Sequence, residues 1–84
     1  MNRLEAFGYI DIETARVNQM LIESKVQLTP EKLITMLTRE LGAMSNAILE
    51  DKKVELKKEL VKLTALSLLW LEQFPNERND RSGD

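Results

Sequence analysis

Apolar residues return at every third or fourth position through most of this chain, and no stretch alternates apolar and polar residues in the manner of a strand. Leu33, Leu37, Leu41, Met44 and Ile48 draw one stripe, and Leu56, Leu60, Leu63, Leu66, Trp70 and Phe74 draw the next. That spacing stacks side chains on one face of a helix, whereas a strand needs a repeat of two. Three glycines and two prolines punctuate 84 residues, so long uninterrupted helices are permitted. The chain is read as all-α: a small antiparallel helical bundle whose core is formed by the last two long helices. It is expected to be one domain over residues 1–75, with a flexible polar tail, "NERNDRSGD", over 76–84.

Local signals place the helix ends. "LTPEK" is the clearest start: Thr29 is placed to cap, Pro30 suits the first helical position and Glu31 favours the positive helix end. Pro75 stops the last helix. Near the N-terminus, Asn2 and Glu5 have capping-box spacing and Gly8 is placed to close a short helix. A second helix of about 15 residues then opens at Asp11, with Ile10, Val17, Leu21 and Leu28 at roughly helical spacing. The two long stripes join almost in phase through "LEDKKVE", which contains neither Gly nor Pro. One continuous helix there would be unusually long for so small a domain. A turn near Glu50–Lys53, with Asp51 capping the last helix, is the reading adopted.

Composition removes several classes of function. Cysteine and histidine are both absent, so disulfides, thiolate metal sites and the usual general base are excluded. Any metal chemistry would come from Asp and Glu oxygens, which means Mg²⁺, Mn²⁺ or Ca²⁺. Net charge is −2 with a pI near 5.2, so no nucleic-acid footprint is expected. Lys52, Lys53, Lys57 and Lys58 alternate with Glu50, Asp51, Glu55 and Glu59, which reads as a solvated, ion-paired helix face. The longest apolar runs fall far short of the roughly 20 residues needed to cross a bilayer. "MNRLEAFGY" has no apolar signal core, so no membrane association and a cytoplasmic location are expected.

Two features call for an explanation. Between Leu63 and Leu71 the last helix is apolar almost all round, with a second set at Val61, Ala65, Leu68 and Leu69. A helix of that kind is covered on more than one side, so a homodimer or homotetramer is expected, with Leu66, Leu69, Trp70 and Phe74 at its interface. The other feature is a pair of inward acids. Glu40 has Met36, Leu37, Ala43 and Met44 three and four residues away, and Glu59 is bounded by Leu56, Leu63 and Lys62. A bare carboxylate on an apolar face costs several kcal/mol unless it is compensated. The plain alternatives are that Glu59–Lys62 is an ordinary i, i+3 surface pair, that Glu40 bonds Arg39 or a backbone group, and that Met20, Met36 and Met44 fill the core.

The stretch "TPEKLITMLTRELGAMSNAILEDKKVELKKELVKLTALSLLWLE" resembles the core of the all-α nucleoside triphosphate pyrophosphohydrolases, the MazG-like superfamily. "RELGAMSNAIL" is similar to that family's E-x-x-E helix and "ELVKLTALSLLWLE" to its E-x-x-D helix. The resemblance covers about half the chain, including Gly42. It implies four carboxylates holding Mg²⁺ against a triphosphate. Carried over residue by residue, Glu40 and Glu59 remain as metal ligands, while Ala43 and Lys62 replace the second acid of each motif. The acid before the first motif is Arg39. The expectation is a degenerate site in which the Lys62 ammonium takes the place of a metal, with no cofactor unless Mg²⁺ binds at the remnant pair.

Three functions follow as expectations. The first is a MazG-like protein with lost or weak catalysis, acting as an oligomeric module that responds to a nucleotide or binds a protein. In that reading Arg39 and Lys62 are candidates to hold a phosphate directly. The second is an active pyrophosphohydrolase that borrows Glu50, Asp51 and Glu55 as substitute ligands. The third is an unrelated helical adaptor or inhibitor using its apolar band for helix-in-groove binding.

Overall fold

The computed structural model describes residues 1–76. Three helices follow in order, α1 (Arg3–Ser24), α2 (Pro30–Leu49) and α3 (Lys53–Glu72), with no strand among the described residues. The segment expected as a tail lies, apart from Asn76, outside the described residues.

The first helix differs from the sequence expectation. Instead of a short helix closed by Gly8 and another opening at Asp11, α1 is one helix of 22 residues. Its start is as expected: the Asn2 side chain accepts from the Glu5 amide at 2.8 Å, and the Glu5 carboxylate accepts from the Asn2 amide at 2.9 Å. Gly8 does not take the left-handed conformation that would end a helix. Ala6, Ile10, Val17 and Leu21 instead form one buried or half-buried line that continues past the exposed glycine. Tertiary packing along that line outweighs the roughly 1 kcal/mol that an interior glycine costs. The helix ends at Lys25, whose φ of 59° is left-handed, with the Val26 amide donating to the Leu21 carbonyl at 3.2 Å.

The start of α2 follows its sequence signal, with Thr29 accepting from the Lys32 amide at 3.2 Å and Pro30 opening the helix. The expected break is also present, but Asp51 has a different task. It adopts a φ of 56° just past the end of α2, and the Lys52 amide returns to the Ala47 carbonyl at 2.8 Å. Aspartate tolerates the left-handed region better than most residues do. Lys52, not Asp51, occupies the cap position of α3 and provides no side-chain cap.

The turn after Leu49 folds α3 back antiparallel to α2, as a short helix–helix connection requires. α1 runs parallel to α3: Tyr9 meets Lys57 at one end, and Ile22 and Leu69 line a common cleft at the other. α3 packs on both neighbours, whereas α1 and α2 share no backbone contact. The core is thin. Val17, Leu66 and Leu69 form its centre with Leu21, Met36 and Leu37 packed against them, and only Leu33 is wholly enclosed among the large side chains.

A Cβ added at Gly8 meets no atom within 4 Å. Gly8→Ala is therefore expected to stabilise the fold by about 0.5–1 kcal/mol. In thermal unfolding that appears as a rise of several degrees in Tm; an unchanged or lower Tm would mean that the glycine serves a bend in α1.

Candidate functional site

Where the middle of α2 crosses the first half of α3, apolar packing gives way to charge. Glu40 projects from the buried side of α2 because it lies one turn from Met36 and Leu37 and two turns from the buried Leu33 and Ala47. Its Oε2 is shut off from solvent and has no hydrogen-bond partner. Across the interface stands Glu59, whose side chain is 20% exposed, with the Lys62 ammonium 3.7 Å from its Oε1. The pair is thus not a free surface contact, although 3.7 Å is too long for a tight hydrogen bond.

The carboxyl of Glu40 is pushed up to about 7. Burial is the main cause, followed by the adjoining Glu59 carboxyl; the charges of Lys62 and Arg39 act the other way. With both carboxylates ionised, the buried Oε2 of Glu40 has nothing to bond. A proton on Glu40 gives its carboxyl a donor to offer the adjoining Glu59, which contributes to the rise.

A third acid belongs to the same region and was not singled out from the sequence. Glu13 on α1 accepts from Arg16 Nε at 3.0 Å and Nη2 at 2.6 Å. Those bonds hold its carboxyl below the usual carboxylate range against the effect of burial, and the charge of Lys62 adds to the lowering. The sequence did carry a signal: Glu13 lies three residues after Ile10 and four before Val17, on the face that turns inward. Lys62 therefore acts electrostatically on one acid from each helix, Glu13, Glu40 and Glu59.

Beside this cluster a groove of about 530 Å³ opens between α1 and α3. Its apolar lining is Tyr9, Ile12, Val54 and Val61, and its cations are Arg16, Lys57, Lys58 and Lys62. Most of those cations are already engaged: Arg16 by Glu13, Lys62 by Glu59, and Lys57 by the Tyr9 ring, 4.3 Å from its centroid.

The other residues singled out from the sequence are distributed as follows. Arg39 lines a different cleft, with Leu28, Lys32 and Met36, so Arg39 and Lys62 are not brought together as a phosphate cradle. Ala43 is half-buried one turn beyond Glu40. Glu50, Asp51 and Glu55 are exposed, Glu50 pairing with Lys52 at 2.9 Å. Leu66 and Leu69 are consumed in the chain's own core, Trp70 is half-buried and Phe74 is exposed.

These residues do not fit Mg²⁺. The ion demands a near-octahedral shell of oxygens at close range, but one of the two facing carboxylates carries an ammonium partner and Ala43 has no donor. Among the described residues, no three carboxylates are arranged to hold one ion.

No family model matches the chain, and no curated protein or solved structure matches it either. The likeness to MazG-like proteins rests on the residues quoted above alone. No helix among the described residues is long and apolar enough to cross a membrane.

Two measurements test the electrostatics. The folded value for Glu40, about 7, lies above its usual 4.5, so between those values the native state holds a proton that the unfolded state has lost. Stability is then highest below the lower value and declines as pH rises through the upper one. Glu40→Gln is expected to flatten that decline and, in denaturant unfolding at pH 8, to gain on the order of 1 kcal/mol over wild type, with little change at pH 4. Lys62→Met should behave oppositely, costing on the order of 1 kcal/mol at pH 8, where the acids are charged, and little at pH 4. Equal losses at both pH values would mean that Lys62 contributes packing rather than charge.

Proposed function

We propose that this chain is a non-catalytic helical interaction module, MazG-like in its α2–α3 pair, in which Lys62 stands where the related enzymes hold metal. The observation that carries the reading is the position of Lys62, which pairs with Glu59, counters the rise of the Glu40 carboxyl and adds to the lowering of Glu13. A fixed ammonium relieves repulsion between inward carboxylates, but it neither activates water nor bridges phosphate oxygens as Mg²⁺ does. Separation of Arg39 from Lys62 into different clefts favours protein binding over nucleotide response. The large apolar side chains left uncovered on all three helices supply surface for such binding.

The test is pyrophosphate release from a panel of ribo- and deoxynucleoside triphosphates with Mg²⁺ and with Mn²⁺. No release above the protein-free control is expected, and Mg²⁺ titration followed by Trp70 fluorescence should be featureless. Robust release that disappears in Glu40→Gln would sink the proposal and place the chain among active pyrophosphohydrolases.

A further inference from the structure

Charge is unevenly spread over the clefts of this molecule. One cleft sets Lys25 against Glu72, and another sets Lys32 and Arg39 beside Glu31. The groove between α1 and α3 has four cations, Arg16, Lys57, Lys58 and Lys62, against the single acid Glu13, in a chain whose net charge is −2. Two of the four are cancelled, Arg16 by Glu13 and Lys62 by Glu59. The other two are not. Lys57 rests over the Tyr9 ring, 4.3 Å from its centroid, a contact that orients the ammonium and leaves its charge in place. Lys58 is exposed and has no carboxylate within ion-pair distance among the described residues. The groove also reaches the first turn of α3 at Val54, and α3 begins without a side-chain cap. The partial positive charge of that helix start adds to the two ammonium groups; Glu55, the acid of the same turn, does not line the groove. Between the cations the lining is apolar. Tyr9, Ile12 and Val54 are 47%, 70% and 67% exposed, and Val61 is half-buried.

We propose that this groove binds a small amphiphilic monocarboxylate, its head held by the Lys57 and Lys58 ammonium groups and its hydrocarbon body laid over Tyr9, Ile12, Val54 and Val61. Charge selects the head. Two uncancelled point charges match one carboxylate, and the only guanidinium in the groove is already engaged bidentately by Glu13, so no planar fork is left for a polyphosphate. Size selects a small molecule over a protein segment. Nine residues line the groove, whereas a stable protein interface takes about 20–30 a side. Its volume of about 530 Å³ lies within the roughly 300–1,000 Å³ of small-molecule sites. From Val54 to Lys62 the wall runs about 12 Å along α3, which suits an extended chain lying lengthwise. Such a ligand is additional to any protein partner and needs no metal.

The test uses the intact chain, isotope-labelled for magnetic resonance, with decanoate as the probe below its micelle-forming concentration. The amide signals of Tyr9, Ile12, Val54, Lys57, Lys58 and Val61 should shift saturably. Acetate, which lacks the body, and decyltrimethylammonium, which reverses the charge of the head, should leave them unmoved. Lys57→Gln combined with Lys58→Gln should weaken decanoate on the order of tenfold or more, while Lys32→Gln, in a different cleft, leaves it unchanged. Ile12→Asp, at an exposed position, should abolish binding with helicity by circular dichroism kept. Absence of saturable shifts overturns the proposal, and so does equal binding of decyltrimethylammonium or undiminished binding by the double lysine variant. Shifts centred on Leu21, Leu28 and Leu69 overturn the placement. Binding to phosphatidylglycerol vesicles without binding to monomeric decanoate overturns the small-molecule ligand in favour of a lipid surface. None of these outcomes bears on pyrophosphate release, so failure of the groove and failure of the non-catalytic reading are separable.

Discussion

Everything in this fold hangs on α3. Among the described helices it alone makes backbone contact with both others, so the placing of α1 and α2 depends chiefly on what α3 offers each of them. Its second half meets that demand with Ala65, Leu66 and Leu69 buried and Leu63, Leu68 and Trp70 half-buried. Its first half does not, because between Lys53 and Glu59 the apolar residues thin out among lysines and glutamates. The bundle is therefore apolar where Val17, Leu66 and Leu69 meet and ionic toward the α2–α3 turn. The Glu40–Glu59 pair falls at the boundary between these regimes, and that is why its carboxylates are covered without being fully dried.

Burial, with the charge balance at that boundary second, explains why Glu40 titrates near neutrality. Glu13 is matched by its own bidentate arginine and needs nothing further. Glu40 and Glu59 together carry two negative charges against the single ammonium of Lys62. A divalent cation would cancel both. A lysine cancels one, and the excess is removed most easily by a proton shared across the helix interface. The value of about 7 for Glu40 is thus what remains after Lys62 and Arg39 have already pulled it down. Breaking such a partly buried arrangement from either side leaves an unmatched group, so the effects of the two partners depend on pH in opposite directions.

Much of this was legible in the sequence wherever a local rule had no competitor. Thr29, Pro30 and Glu31 start α2 as their chemistry dictates, and the apolar repeat gives the all-α class. The break between α2 and α3 fell where expected, but Asp51 can either cap the following helix or accept a left-handed φ after the preceding one; the geometry of the turn chose the latter. Gly8 was misleading because a glycine ends a helix only when the chain needs to turn there, and the line from Ala6 to Leu21 shows that it does not. The inward acids Glu40 and Glu59 were visible from their neighbours; Glu13, with the same kind of neighbours on α1, was not weighed. Rotation about a helix axis was the hardest quantity to read. The stripe through Leu33, Leu37 and Leu41 straddles a buried face and an open one, and periodicity alone does not say where the boundary falls. Leu66 and Leu69 illustrate the same difficulty, since an all-round apolar helix announces burial without announcing by which neighbour.

The division of α2 into two faces bears on how the cluster and the surface relate. The line through Leu33, Glu40 and Ala47 and the line through Ile34, Leu41 and Ile48 are displaced by one residue, or about 100° around the axis. A partner seated on the second line leaves Glu40 enclosed by its own α3, and neither Lys62 nor Arg39 lies in its path. Protonation of Glu40 changes the charge balance across the α2–α3 interface without placing charge on the outer strip. Contact made along that line would then be insensitive to the state of the acids except through the rigidity of the helix itself. A face turned about 100° from the acids is open to contact without disturbing the charged groups between α2 and α3.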